Sequence, residues 1–242
     1  MDYFYVEAIK FCNNVNGISH FLVESIKFCN SLKKKIDHHG LSAGKIKRRM
    51  VGIPVYKVSN YEERDALLVT DEVTKAVSFY FISKPDALDF FDKIKLLENF
   101  IIDWRVFDTP LSNIIDEGGD EGVAVRLVPE SSQIKNAIEE KGRETGTPDN
   151  IFAGVPVFMS SNLTLHLIET GERFRPAYLR KEDLQERLTA MGVSSSTIKV
   201  SSLEETIHEM KDSSTSKSND ILFIGHGGTS YIMGTIYWLH ET

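Results

Sequence analysis
A chain of 242 residues, 41% hydrophobic and 26% charged with a net charge of −7, reads as a soluble globular protein of one large or two small domains. Two cysteines, Cys12 and Cys29, are too few for a disulfide framework, and no apolar run reaches the roughly twenty residues that cross a bilayer. The first fifty residues hold nine Lys or Arg against four acids, which leaves the acidic excess to the rest; the body is therefore no nucleic-acid surface.

Residues 1–50 form a basic leader. It contains VEAIKFCNN at 6–14 and VESIKFCNS at 23–31, a short duplication with no functional reading. Ile18, Phe21, Leu22, Ile26, Cys29, Leu32 and Ile36 step by three or four, which predicts an amphipathic helix with Lys33 to Lys35 off the apolar stripe. Two uses of the stripe fit equally. It can dock on the body's core, or present Phe21, Leu22, Ile26 and Leu32 to an anionic membrane or an acidic partner. Residues 40–50 (GLSAGKIKRRM) read as a basic linker.

The body is organised around a repeat. VGIPVY at 51–56 returns as AGVPVF at 153–158, and the pattern of strands and helix after each copy recurs too. After the first copy, strands are expected at 55–59, 66–70 and 76–82. Ser83 then caps a helix with Pro85 and Asp86 in its first turn. Residues 100–115 look irregular and 116–122 are an acidic glycine loop. A strand at 123–128 and a helix from Ser131 or Ser132 complete the half.

After the second copy, strands are expected at 155–160, 163–169 and 175–179. A helix at 181–191 ends at Gly192, a strand covers 197–200, and a helix at 202–211 opens on the capping box Ser202 and Glu205. Ile221 to Ile224 closes the set. The fold class is α+β: two pseudo-symmetric β-β-β-α-β-α halves sharing a core, preceded by an amphipathic N-terminal helix. The expected boundaries are 1–50, 51–145, 146–225 and an apolar, aromatic tail at 226–242 whose structure the sequence does not specify.

Catalytic signals are weak. Gly225-His226-Gly227-Gly228 resembles the glycine-rich oxyanion turn of esterases, yet no G-x-S-x-G elbow exists; a flexible turn is the plainer reading. A small α/β hydrolase using His226 and a distant serine is the alternative from another functional class. His208-Glu209 opens like a zinc-protease motif, but Asp212 holds the second histidine's place. No metal, nucleotide or other cofactor is expected, and the chain does not read as an enzyme. Apolar edges beside the repeats are left to accept extended peptide.

Five blocks, VGIPVYKVSN, AVSFYFISKPDALDFFDKI, VRLVPESSQIKNAIEE, FAGVPVF and ERFRPAYLRKEDLQERL, occur in this order. Together they resemble the twenty-two-kilodalton subunit family of Tic, the translocon at the inner envelope membrane of chloroplasts, over about residues 50–211. The resemblance implies two pseudo-symmetric halves with apolar pockets and no catalytic residues. It also implies a soluble, chaperone-like import factor of the intermembrane space, peripheral to the inner envelope. Its partners would be unfolded preproteins and components of the outer- and inner-envelope translocons. On the repeated motifs themselves, a peptide groove is expected near Val55, Val157, Phe158 and Leu184.

Overall fold
The computed structural model describes residues 41–59, 67–70, 73–95, 104–114, 123–146, 151–168, 170–194, 198–212, 220–228 and 236–240. The expected leader helix and the acidic glycine loop lie outside them. The described residues fall into two compact units. One comprises Pro54–Thr109 and Asn113–Glu130; the other includes the chain before Pro54, Pro110–Ser112 and everything from Ser131 onward.

The first unit is built on β1 (Pro54–Ser59), β2 (Leu67–Thr70), β3 (Val73–Phe81), α2 (Lys84–Lys95), β4 (Arg105–Pro110) and β5 (Val123–Val128). A short helix α3 (Leu111–Ile114) follows β4. The sheet order is β2-β3-β1-β4, and β5 lies parallel to β3 from Ala76 to Phe81. β1 and β5 both pair with Tyr80 and Phe81, so they take opposite edges of β3. Phe79, Phe81 and Ala87 form the buried centre, with Tyr56, Phe90, Val106 and Val128 packed around it and half-exposed.

The second unit begins with α1 (Ala43–Arg48), anchored by the fully buried Ile46 and Met50. It continues with α4 (Ser131–Thr145), β6 (Pro156–Ser160), β7 (Leu163–Leu167), β8 (Arg173–Tyr178), α5 (Lys181–Ala190), β9 (Ile198–Ser202), α6 (Leu203–Lys211) and β10 (Ile221–Ile224). A 3-10 turn (His226–Gly228) and β11 (Ile236–His240) end it. The sheet order is β11-β7-β8-β6-β9, and β10 runs parallel to β8. One apolar cluster fills it, running from Ile134 and Ala137 of α4 through Phe158, Tyr178 and Leu184 to Leu222 and Ile224.

Strand order thus recurs, β2-β3-β1-β4 matching β7-β8-β6-β9, and so does register. Tyr56 faces Phe81 across β1 and β3, and Phe158 faces Tyr178 across β6 and β8. Three residues beyond each of these, Lys84 and Lys181 open α2 and α5. The Ile82 amide donates to the Val128 carbonyl at 3.0 Å, and the Leu179 amide to the Ile224 carbonyl at 3.0 Å. Leu111 donates to the Ile53 carbonyl at 2.8 Å, and Leu203 to the Val155 carbonyl at 2.7 Å. The glycine of each repeated hexamer takes a left-handed φ, 86° at Gly52 and 85° at Gly154, which a side chain would resist.

Three stretches differ from the sequence reading. The expected basic linker at 40–50 contains α1, because Ile46 and Met50 bury one face of it. The irregular 100–115 contains β4 and α3, which supply after α2 the strand and helix that β9 and α6 supply after α5. β4 escaped notice because an edge strand needs no apolar alternation, and its burial follows no period of two. The tail is not featureless either, since β11 pairs antiparallel with β7 over Leu163 to Leu167. The capping residues stand as read. Ser202 accepts from the Glu205 amide at 3.0 Å, Ser83 from the Asp86 amide at 3.3 Å, and Gly192 follows α5 with φ 70°.

Candidate functional site
The four side chains expected to line a groove are interior. Val55, Val157, Phe158 and Leu184 are each 0% exposed. β6 lies between β8 and β9 and is buried on both faces, while Leu184 points from α5 into the same cluster. Repeated apolar letters mark a core before they mark a surface. Among the described residues, the large apolar side chains that reach solvent are Ile151 at 65%, Ile168 at 51% and Val51 at 38% in the second unit, and Leu88 at 42% in the first. Phe21, Leu22, Ile26 and Leu32 lie outside the described residues.

Polar organisation concentrates at the start of α5. Arg180 offers no side-chain cap, and the cap comes instead from α4: the Lys181 amide donates to Gln133 Oε1 at 3.0 Å. Gln133 and Asn136 both donate to the Glu182 carboxylate, at 2.8 Å each. Burial alone would raise the Glu182 pKa. Its own amide, these two donors and Arg180 overcome that, leaving it below the usual carboxylate value. Lys181 Nζ meets Glu140 Oε1 at 2.8 Å, both side chains being almost wholly enclosed, and Arg143 holds the same carboxylate at 2.7 Å. None of Gln133, Glu140 or Lys181 was picked out from the sequence. The only available signal was a Gln and a Glu on the inward stripe of α4.

The turn at 225–228 packs against this helix start. Arg180 Nη1 lies 2.8 Å from His226 Nδ1, and the Gly227 amide donates to Asp183 Oδ2 at 2.8 Å. A guanidinium only donates, so Nδ1 accepts and the neutral ring carries its proton on Nε2. That leaves no ring lone pair to deprotonate a serine, and the amide an oxyanion hole would need is given to a carboxylate. The hydrolase arrangement is not assembled here.

A second buried carboxyl lies at the start of β6. Glu204 Oε2 accepts from the Val155 amide at 3.0 Å and touches the space a Cβ on Gly154 would fill. Burial pushes its pKa up to about 7, against the pull of its own amide and that of Val155. Across β6 and β8, burial pushes the Tyr178 hydroxyl up to about 12, in spite of Arg187.

The sequence pattern of the Tic22-like family matches residues 23–233, nearly the whole chain. The chain belongs to the Tic22-like family. The Arabidopsis thaliana protein named TIC 22-like, chloroplastic, is 33% identical over 199 residues, covering 78% of this chain and 62% of that protein. The chain thus spans less than two thirds of that relative's length. The Pisum sativum protein named TIC 22, chloroplastic, is 29% identical over 195 residues, 77% of this chain and 75% of its own. Among solved structures, Anabaena Tic22, described as protein transport, superposes with a TM-score of 0.63 at 18% identity, covering 77% of this chain and 94% of that one. Plasmodium falciparum Tic22 gives 0.59 at 18%, covering 74% and 91%. These two share the α+β fold of this Tic22-like chain.

Proposed function
We propose that this protein is a chloroplast protein-import factor, acting as a chaperone-like escort for unfolded preproteins between the outer- and inner-envelope translocons. The observation that carries the reading is the Tic22-like match across residues 23–233, joined to relatives named as chloroplastic TIC 22 proteins. In this reading the protein works in the intermembrane space, peripheral to the inner envelope, without nucleotide or metal. Lys45 and Arg48 stand exposed on α1 while Ile46 and Met50 pin its other face, an arrangement suited to anionic lipid head groups. Apolar contact with a preprotein falls to exposed residues such as Ile151 and Ile168, because Val55 in the first unit and Val157, Phe158 and Leu184 in the second are not reachable without opening their own unit.

The test is binding of an unfolded precursor bearing a transit peptide to the isolated protein, measured by fluorescence anisotropy. Saturable binding that weakens in Ile151→Asp and Ile168→Asp is expected. Binding no stronger than to an unrelated acidic protein defeats the reading. A fluorescent fusion followed in plant cells checks the compartment separately.

A further inference from the structure
In the second unit, the sheet face carrying Phe158, Ile198 and Val200 is covered by α4, whose Ile134, Ala137 and Ile138 join the same cluster. The recurring register places Tyr56, Val106 and Asp108 at the matching positions of the first unit. There α2 repeats the part of α5, but among the described residues no helix repeats the part of α4. The consequence is visible in burial. Ile224 is 1% exposed, whereas its counterpart Val128 is half-exposed, as are Tyr56, Phe90 and Val106.

We propose that the leader helix, residues 18–36, seats on this face of the first unit as α4 seats on the second. Three observations choose this occupant. α4 precedes the strands it covers, and the leader likewise lies ahead of β1, with only the short α1 between them. The leader's stripe of Ile18, Phe21, Leu22, Ile26, Cys29, Leu32 and Ile36 supplies the apolar face that α4 supplies with Ile134, Ala137 and Ile138. Asp108 is exposed on this face and adds to burial in raising the Tyr56 pKa, an acid placed to meet Lys27 or the lysines at 33–35. The repeated unit is then helix-first, with the leader opening the first copy and α4 the second.

The test uses the full chain with Cys12→Ser and Val106→Cys, leaving Cys29 on the stripe. Mild oxidation is expected to give a bond within one chain, and none in a control carrying Ile168→Cys instead. Separately, Phe21→Asp with Ile26→Asp is expected to speed amide exchange in β4 roughly tenfold while β9 is unmoved. The cross-link leaves Phe21 and Ile26 intact, so it reads docking even if the doubly acidic chain folds poorly. A bond only between two chains, no bond, or loss of binding to phosphatidylglycerol vesicles with β4 exchange unmoved would overturn the proposal. Those outcomes assign the stripe to a second copy, to another site, or to a membrane.

Discussion

At matched register positions the two units exchange a tyrosine and a phenylalanine: Tyr56 faces Phe81 in one, and Phe158 faces Tyr178 in the other. Each hydroxyl sits where its own unit offers a charged neighbour, Asp108 for Tyr56 and Arg187 with Asp183 for Tyr178. Nearly two turns into the helix the divergence continues. Phe90 of α2 lies 5.1 Å from the Phe81 ring, whereas Arg187 of α5 reaches the Tyr178 hydroxyl. Backbone hydrogen bonds hold the topology in common, so the side chains between the layers can follow either an aromatic or a charged solution.

The sharpest way to break this comparison is to empty the two matched ring sites. Phe158→Ala should cost about 4 kcal/mol, because a fully buried ring leaves a cavity, while Tyr56→Ala should cost about half of that; urea unfolding measures both. Lys181→Met should cost roughly 2–3 kcal/mol by stripping Glu140 of an enclosed partner, whereas Lys84→Met, at an exposed site, should cost under about 0.5 kcal/mol. Adding Glu140→Gln to Lys181→Met should recover much of the loss in the same assay.

A smaller effect depends on pH. Glu204 keeps some surface exposure, but its carboxyl is turned onto Gly154 and Val155. Its folded pKa of about 7 stands above the ordinary 4.5. The folded state therefore holds a proton that the unfolded chain releases, and stability falls as pH rises through that window. Glu204→Gln should gain about 1–2 kcal/mol near pH 8 and nothing near pH 4. Ser112, its counterpart beside Leu111, has no carboxyl, and Ser112→Ala should show no such pH dependence. A similarly small effect is expected for Tyr178→Phe, a loss of about 1 kcal/mol from the missing bond to Arg187; Phe81→Tyr should not gain it back, since Phe90 offers no donor.

Much of this architecture was legible because it was written twice. The hexamers at 51–56 and 153–158 locate β1 and β6, and Ser83 with Pro85 and Asp86 locates the start of α2. Local chemistry was also readable at Ser202 and Ser83, where a hydroxyl three residues before an amide is enough to predict a cap. β4 was not legible, since RVFDTP packs on one partner strand and its apolar letters serve an edge. The burial of Val55, Val157, Phe158 and Leu184 was not legible for the opposite reason: they read as apolar, but hydropathy cannot separate an interior from a pocket wall. The hold of Gln133 on the α5 start was beyond reach because it joins residues 48 apart in the chain.

Parallel pairing of β10 with β8 gives the second unit a late seam. Arg175 and Asp220 are 45 residues apart, yet Arg175 Nε and Nη2 grip both carboxylate oxygens at 2.8 Å just where β10 begins. A polypeptide emerging N-terminus first leaves one side of β8 bare until that stretch arrives, so the sheet cannot be zipped up early. Such postponed closure leaves the strand order open to rearrangement until the segment 221–224 arrives.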